Sequence, residues 1–188
     1  DQIEDKIGDL LSRLEWVSLG GGIHFTKDGY DIDGLAARLK AFAEKFGVQV
    51  YLEPGDTVVT DTTTLEVSVL DIVENEMSVA IVDSAVEAHM LDLLVYRESG
   101  AVAPDEGPHR YQIAGKSCLA GDVFGTFDFP NPLAVGDRIS LLNAGGYTMV
   151  KKNWFNGVPM PAIAIRRKNG AVEVVQSFDY ADYVASLS

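Results

Sequence analysis

Trp16-Val17-Ser18-Leu19-Gly20-Gly21-Gly22 combines a short apolar strand with a glycine turn at its carboxyl end. The same combination returns further along the chain, where Val48-Gln49-Val50-Tyr51-Leu52 runs directly into Glu53-Pro54-Gly55. Runs of about five apolar residues that end in turn residues are typical of buried strands. The chain therefore begins with two short strands that each end in a turn.

Amphipathic helices are predicted before both strands. Apolar residues recur at helical spacing at Ile3, Ile7, Leu10, Leu11 and Leu14. Such an apolar helix face must pack against another part of the protein. A second helix is predicted with Asp31 as its N-cap and Gly47 as its end. The order helix, strand, helix, strand is typical of a parallel α/β layer or barrel. Since a parallel barrel needs about eight strands, residues 1–56 are expected to be the last two strand-helix units of a TIM-type barrel.

Residues 57–188 have the pattern of a mainly antiparallel β domain, either a sandwich or a barrel. A strand over Thr57–Val73, a turn and a strand over Met77–Val82 predict a hairpin, and Val86–Leu94 is a candidate short helix. Further short strands are predicted at Tyr111–Ala114, Asp122–Phe127, Arg138–Leu142, Ala162–Arg167 and Val172–Gln176.

Composition limits the classes of function. The formal net charge of −13 argues against binding to nucleic acid, because the phosphates would be repelled. No apolar run approaches the roughly 20 residues that span a membrane, and no basic and apolar leader opens the chain. The one cysteine cannot form an internal disulfide, which favours a reducing cytoplasm. The spacing of the histidines predicts no metal site.

The two strand ends carry the first candidate binding groups. The glycines at 20–22 let backbone amides approach an anion closely, although such a tripeptide is also an ordinary tight turn. Glu53 could hold a protonated ring nitrogen, and Gly55 could add another amide for a phosphate, although Glu53 alone could equally be a solvated loop residue. Because both turns end neighbouring strands, they are expected at the same edge and in one site.

The β region contributes further candidates, each with an ordinary alternative. Cys118 and Asp122 share one turn, where a lone cysteine is also often a small buried apolar residue. Tyr147 could reach a phosphate from its Gly-rich turn or could be a core tyrosine on a strand. Asp83 could meet an ammonium group or cap the following helix. No lysine lies inside an apolar strand, where burial would lower its pKa for covalent catalysis.

These motifs, in this order, resemble the fold-type III pyridoxal-phosphate (PLP) decarboxylases, the group that contains the ornithine and diaminopimelate decarboxylases. The resemblance covers essentially the whole chain and rests on three further stretches. They are Gly-Gly-Gly-Ile-His-Phe-Thr at 20–26, Ser-Cys-Leu-Ala-Gly-Asp-Val-Phe-Gly at 117–125 and Val-Lys-Lys-Asn-Trp-Phe-Asn-Gly at 150–157. The match is to the carboxyl-terminal half of these enzymes, within a branch that acts on carboxylated polyamines.

The resemblance implies roles for particular residues. The cofactor-binding residues would be Gly20, Gly21, Gly22, Glu53, Gly55 and Tyr147, with Glu53 on the ring nitrogen and the others at the phosphate. The catalytic residues would be Cys118 and Glu53, and the substrate-binding residues would be Asp83, Asp122 and His24. In this fold the active site lies between the barrel of one subunit and the β domain of another, so a homodimer is implied.

Two departures from the family pattern bear on substrate and activity. Asp56 follows Glu53-Pro54-Gly55 where ornithine and diaminopimelate decarboxylases carry arginine, which disfavours diaminopimelate and suits a more cationic substrate. The lysine that bonds covalently to PLP belongs to the first barrel strand, so this chain alone is expected to be inactive. Two alternatives remain: a non-catalytic assembly module of the same fold, and an enzyme like diaminopimelate decarboxylase.

Overall fold

The computed structural model describes residues 2–187 and divides the chain into two compact units, Asp1–Thr60 and Asp61–Ser188. This division falls close to the predicted boundary after residue 56. The assignment of the first unit to a barrel and of the second to a separate β domain stays a prediction.

The first unit contains two helices and a two-stranded parallel sheet. Its elements are α1 (Gln2–Leu11), β1 (Trp16–Ser18), α2 (Ile32–Phe46) and β2 (Gln49–Tyr51). Strand β1 pairs with β2 in parallel, with Val17 opposite Val50. The predicted order of helix, strand, helix and strand is confirmed.

Helix α2 begins and ends as its terminal residues predict. The Asp31 side chain accepts a hydrogen bond from the Gly34 backbone N–H at 2.8 Å, which satisfies a free donor of the first turn. Gly47 takes the left-handed conformation, with φ of 66°, and its N–H donates to the Ala43 carbonyl. The helix is therefore capped at both ends by residues of its own sequence.

Glu4 ties α1 to α2. Its carboxylate accepts a hydrogen bond from Lys45 Nζ at 2.8 Å and pairs with Arg38. The hydrogen bonds from Lys45 and Arg38 lower the pKa of Glu4 to about 2. This carboxylate thus stays charged over the ordinary pH range.

The core of the first unit is small. Leu11, Phe42 and Val48 are buried and pack with Val17, Phe46 and Val50. Leu11 is the fully buried residue of the apolar face that was predicted for the first helix. The other residues of that face are exposed, namely Ile3, Ile7, Leu10 and Leu14. Two helices and two strands leave most of that face uncovered within this unit.

The second unit is built around a five-stranded sheet. Its strands are β3 (Leu65–Asn75), β4 (Met77–Val82), β5 (His109–Ala114), β6 (Val123–Phe129) and β7 (Arg138–Leu141), with β8 (Ile163–Arg166) and β9 (Val172–Gln176) forming a separate hairpin. The sheet order is β6-β5-β4-β3-β7, and only the β4–β5 pairing among these is parallel. The mainly antiparallel pairing and the β3–β4 hairpin are confirmed.

The helices of the second unit are short. They are α3 (Val86–His89), α4 (Leu91–Tyr96), α5 (Tyr147–Lys151) and α6 (Tyr180–Ala185). The helix predicted over Val86–Leu94 is interrupted at Met90, whose φ and ψ are −140° and 49°. Helices α5 and α6 were not predicted.

Alternating side chains of β3 show how the main core forms. Leu65, Val67 and Val69 are buried, whereas Glu66 between them is exposed, as the period of two requires. They join Ile113, Phe124 and Leu141 in one apolar cluster.

The prediction of a strand from Thr57 was wrong for its first residues. Asp56–Val59 is a 3-10 helix, and β3 begins at Leu65. The Thr57 hydroxyl donates to the Ile23 carbonyl at 2.9 Å. The Thr60 hydroxyl donates to the Asp56 carbonyl, four residues earlier, at 3.2 Å. Such local bonds from threonine to the backbone compete with strand pairing, which explains why β propensity failed here.

Within residues 2–187, no helix is both long and apolar enough to cross a membrane. The same residues contain no group of three or more His, Cys, Asp or Glu side chains that could hold a metal ion.

Candidate active site

The glycine turn and the Glu53 turn lie side by side. After the paired strands, the Leu19 N–H donates to the Tyr51 carbonyl at 3.0 Å, and the Glu53 N–H donates to the Gly20 carbonyl at 2.9 Å. Since β1 and β2 are parallel, both turns stand at the carboxyl ends of their strands. The prediction that they share one edge is confirmed.

Gly21 is the point of closest approach between the two turns. A β-carbon on Gly21 would overlap with the Glu53 carbonyl oxygen, so only glycine fits. On either side, Gly20 and Gly22 have φ of 74° and 79°, and a β-carbon at either position would meet no heavy atom within 4 Å. The turn therefore combines a tight backbone contact with open space in front of it.

Ser18 orients the Glu53 carboxylate. Its hydroxyl donates a short hydrogen bond to Glu53 Oε1 and accepts one from the Gly20 N–H at 3.2 Å. The Glu53 side chain is exposed, so the carboxylate is held in direction while it remains accessible. We did not predict Ser18 from the sequence, although its place at the end of β1 was a usable signal.

Gly55 and His24 belong to the loops beside these turns. Gly55 precedes the 3-10 helix Asp56–Val59, and its carbonyl accepts from the Val58 N–H at 3.3 Å. The Thr57 bond to the Ile23 carbonyl joins this segment to the loop that carries His24, which is exposed. All the candidate residues of the first unit therefore lie in connected loops.

In the second unit, Asp83 directly follows β4. Its Oδ1 accepts from the Ser68 N–H at 2.8 Å, and its own N–H donates to the Ser68 carbonyl at 3.0 Å. The side chain is half-buried. Asp83 is thus fixed against β3, and it does not cap α3 as the alternative interpretation supposed.

Asp122 is buried, and both of its carboxylate oxygens accept hydrogen bonds. Oδ1 accepts from the Val86 N–H at 2.7 Å. Oδ2 accepts from the Ser117 N–H at 3.0 Å and from the Ser117 hydroxyl at 2.7 Å. The substrate-binding role for Asp122 stays a prediction, but this geometry favours a role within the chain.

Cys118 lies in the same loop and its side chain is exposed. The next segment is close, because the Lys116 N–H donates to the Ser84 carbonyl at 2.9 Å. The structure therefore links the loop of Cys118 to the segment that carries Asp83.

Helix α3 contains buried polar side chains that the sequence analysis missed. His89 Nδ1 lies 2.7 Å from Ser84 Oγ, and burial lowers the pKa of His89 to about 4. His89 Nε2 and both Glu87 carboxylate oxygens are buried without a hydrogen-bond partner among residues 2–187. Polar residues inside the apolar run from 86 to 94 were the signal for them.

Tyr147 stands at the start of α5, where its ring is half exposed. Lys151 Nζ lies 4.8 Å from the ring centroid and 2.5 Å from Asp92 Oδ1. The hydrogen bond that Lys151 donates to Asp92 raises the pKa of Lys151, so this cation stays charged beside the ring. Tyr147 thus lies on a helix, against both the strand and the flexible turn that we considered.

The groups of the first unit fit PLP. The turn at Gly20–Gly22 offers backbone amides and open space to a phosphate. The exposed Glu53 carboxylate could accept a hydrogen bond from the protonated ring nitrogen. Both groups lie at the same edge of the two-stranded sheet, so one ligand could contact them with its phosphate and its ring nitrogen.

Comparison with known proteins agrees with these features. The family model described as "Pyridoxal-dependent decarboxylase, C-terminal sheet domain" matches residues 30–145. The chain is 60% identical to the carboxynorspermidine/carboxyspermidine decarboxylase of Herminiimonas arsenicoxydans over 100% of this chain and 51% of that protein. It is 40% identical to the carboxyaminopropylagmatine decarboxylase of Synechocystis over 97% of this chain and 49% of that protein.

A solved structure is similar as well. The carboxynorspermidine decarboxylase of Campylobacter jejuni, in complex with norspermidine, superposes with a TM-score of 0.90 at 38% identity, over 98% of this chain and 54% of that one. The chain spans about half the length of the curated relatives it matches. Because the family model covers more than half of its residues, the chain belongs to the pyridoxal-dependent decarboxylases and carries their C-terminal sheet domain.

Proposed function

We propose that this chain is the carboxyl-terminal half of a PLP-dependent carboxy-lyase of polyamine biosynthesis. The complete enzyme would convert carboxynorspermidine or carboxyspermidine to norspermidine or spermidine. The observation that carries the proposal is the oriented Glu53 carboxylate beside the glycine turn, at one edge of β1 and β2. The 60% identity to a decarboxylase of these substrates supports the substrate class.

The first unit would hold the cofactor. Gly20–Gly22 and Gly55 would bind its phosphate through backbone amides, together with the Tyr147 hydroxyl of the second unit. Glu53, oriented by Ser18, would keep the ring nitrogen protonated. When bound, PLP supplies an electron sink for the carbon that loses CO₂.

The second unit would serve the substrate. The exposed Cys118 thiol is proposed to donate the proton that replaces CO₂ on the substrate carbon. Asp83 of this unit is proposed to contact the cationic amine chain, and His24 of the first unit is proposed to contact it as well. Asp83 suits an ammonium better than Asp122, because both Asp122 oxygens already accept hydrogen bonds within the chain.

The complete enzyme is proposed to be a cytoplasmic homodimer with active sites shared between subunits. Residues 1–56 would complete a barrel whose other strands, including the one with the covalent lysine, lie outside this chain. The exposed apolar residues of α1 and the exposed Trp16 and Tyr51 of the two-stranded sheet support further strands and helices there.

The test is steady-state kinetics of the full-length protein with carboxynorspermidine, carboxyspermidine and diaminopimelate. We expect CO₂ release with the two polyamines and at least a hundredfold lower kcat/KM with diaminopimelate, whose second carboxylate an acidic site disfavours. Efficient turnover of diaminopimelate would replace the substrate assignment, and no turnover of any of the three would favour an assembly module.

Glu53→Gln in the same assay tests the cofactor role. Removing the charge that keeps the ring nitrogen protonated should lower kcat more than it changes KM, because carbanion stabilisation matters most in the transition state. Asp83→Asn should instead raise KM by about 10- to 100-fold, since a charge-assisted hydrogen bond is worth about 1.5–3 kcal/mol. Equal effects of both variants on kcat, with KM unchanged, would contradict this division of roles.

A further inference from the structure

Three donors from two segments of the chain converge on the Asp122 carboxylate. The Val86 N–H comes from the start of α3, and the Ser117 N–H and hydroxyl come from the loop between β5 and β6. The side chain is 5% exposed. Three hydrogen bonds compensate a buried carboxylate for its loss of hydration. Moving the carboxylate toward a substrate ammonium would leave those three donors unsatisfied.

Gly115 provides the room for this arrangement. Its N–H donates to the Asp122 carbonyl at 2.8 Å, so the two residues close the base of the loop. A β-carbon on Gly115 would overlap with both carboxylate oxygens of Asp122. The sequence thus supplies glycine at a position where a side chain would displace the carboxylate.

Both neighbours of Cys118 are held by this arrangement. Ser117 is bound to Asp122 Oδ2 through its N–H and its hydroxyl. The Leu119 N–H donates to Ser117 Oγ at 3.2 Å, and the Leu119 carbonyl accepts from the Asp122 N–H at 3.1 Å. The Cys118 side chain therefore projects from a closed loop, in which the Asp122 carboxylate accepts the hydrogen bonds of Ser117 and backbone bonds hold Gly115, Lys116 and Leu119.

We propose that Asp122 is a positioning residue that holds the Cys118 thiol in place and joins its loop to α3, rather than a ligand of the substrate. The inference rests on the proposed role of Cys118 as a proton donor. Its distinguishing feature is that Asp122 acts through Ser117 and Cys118, whereas a substrate ligand would act through its own charge.

The first test is kinetic and uses the full-length enzyme with carboxynorspermidine. Asp122→Asn places an NH₂ group against N–H and O–H donors, so kcat should fall about 10- to 100-fold, the effect of a displaced catalytic group, while KM changes less than about twofold. Added to Cys118→Ala, the same change should cost less than about twofold, because the thiol that it positions is already gone.

Ser117→Ala is the milder second variant, and it leaves the Asp122 charge in place. It should lower kcat about 3- to 10-fold with KM unchanged, since it removes one of the three hydrogen bonds to the carboxylate and the bond from the Leu119 N–H to Ser117 Oγ. Glu106→Gln is the matched control, because it removes one negative charge from an exposed residue and should leave both constants unchanged. Hydrogen exchange should be faster in the peptide 115–122 of Asp122→Asn and Ser117→Ala, and unchanged in Glu106→Gln.

A rise of tenfold or more in KM for Asp122→Asn, with wild-type constants for Ser117→Ala, would overturn the proposal in favour of substrate binding. Full additivity of Asp122→Asn with Cys118→Ala would overturn it in favour of general destabilisation. Wild-type kcat in Cys118→Ala would remove both the role of Cys118 and this inference. If the enzyme decarboxylates no polyamine, the proposed function fails, and unchanged exchange in 115–122 would then refute the holding role separately.

Discussion

His89 sits at the end of α3, with its ring buried and its Nδ1 beside Ser84 Oγ. Burial disfavours the charged imidazolium and lowers the pKa from 6.5 to about 4. Asp83 and Asp122 oppose this effect, whereas the cations Lys116 and Lys152 add to it. At neutral pH the ring is therefore uncharged.

We predict that His89 makes the protein acid-sensitive. Between pH 6.5 and 4 the unfolded chain binds a proton that the folded chain excludes, so stability falls as the pH falls through this window. The loss for this group is at most about 3 kcal/mol, from 1.36 kcal/mol for each pKa unit. Thermal denaturation of the full-length protein at pH 7, 6, 5 and 4 should show a flatter profile for His89→Gln than for the wild type. Identical profiles would contradict the assignment.

Gly21 supports a second prediction at the residue scale. Gly21→Ala forces the glycine turn away from the Glu53 carbonyl, because backbone cannot yield as a flexible side chain can. PLP affinity of the full-length protein, measured by absorbance titration, should fall at least about tenfold, as expected for misplaced binding groups. Gly8→Ala is the control, since its β-carbon would meet Phe46 at an ordinary 3.7 Å. Equal affinities for Gly21→Ala and the wild type would show that the contact does not shape the cofactor site.

Among the elements, α2 has the clearest local determinants. Asp31→Ala removes the acceptor for the Gly34 N–H and should lower the stability of the full-length protein by about 1 kcal/mol. Asp31→Asn keeps an acceptor oxygen and should restore most of the loss, whereas Asp28→Ala, at an exposed loop residue, should have little effect. Denaturation midpoints of the three variants make the comparison. If Asp31→Asn is as unstable as Asp31→Ala, the charge matters more than the hydrogen bond.

At the scale of the whole molecule, each unit leaves apolar side chains exposed. In the first unit these include Ile3, Leu10 and Trp16, and in the second they include Val172 and Tyr180. Exposed apolar side chains that lie together commonly belong to a contact surface, and the exposed rings of Trp16 and Tyr51 do so, with centroids 6.0 Å apart. The proposed remainder of the barrel and the proposed second subunit are the candidates to cover it.

Shared active sites can be tested by complementation between subunits. Co-expression of full-length Glu53→Gln and Cys118→Ala should produce mixed dimers in which one of the two sites combines wild-type Glu53 and Cys118. If half of the dimers are mixed, activity should recover to about a quarter of the wild-type value, well above either variant alone. Activity that stays at the average of the two variants would place Glu53 and Cys118 in a site formed by one subunit.

Local patterns in the sequence predicted the elements whose determinants are local. Asp31 and Gly47 delimit α2, and the apolar runs before Gly20 and Glu53 are β1 and β2. The pairing of the two turns also followed, because parallel strands carry their carboxyl ends to one edge. The structure of residues 57–64 could not be predicted from local patterns, because the Thr57 hydroxyl bonds to the Ile23 carbonyl, which is distant in the sequence.

Tertiary structure alone decided what the polar groups of the second unit do. The sequence showed Cys118 and Asp122 in one turn. The Val86 N–H that donates to the Asp122 carboxylate comes from a distant segment of the chain, and no sequence spacing predicts that contact. The same holds for Ser18 on Glu53 and for the burial of His89 and Glu87. Composition and periodicity determine which residues can form helices, strands and turns, because those depend on neighbours in the chain. Whether a carboxylate faces a ligand or the protein's own donors depends on distant segments brought together by the packing of the apolar core.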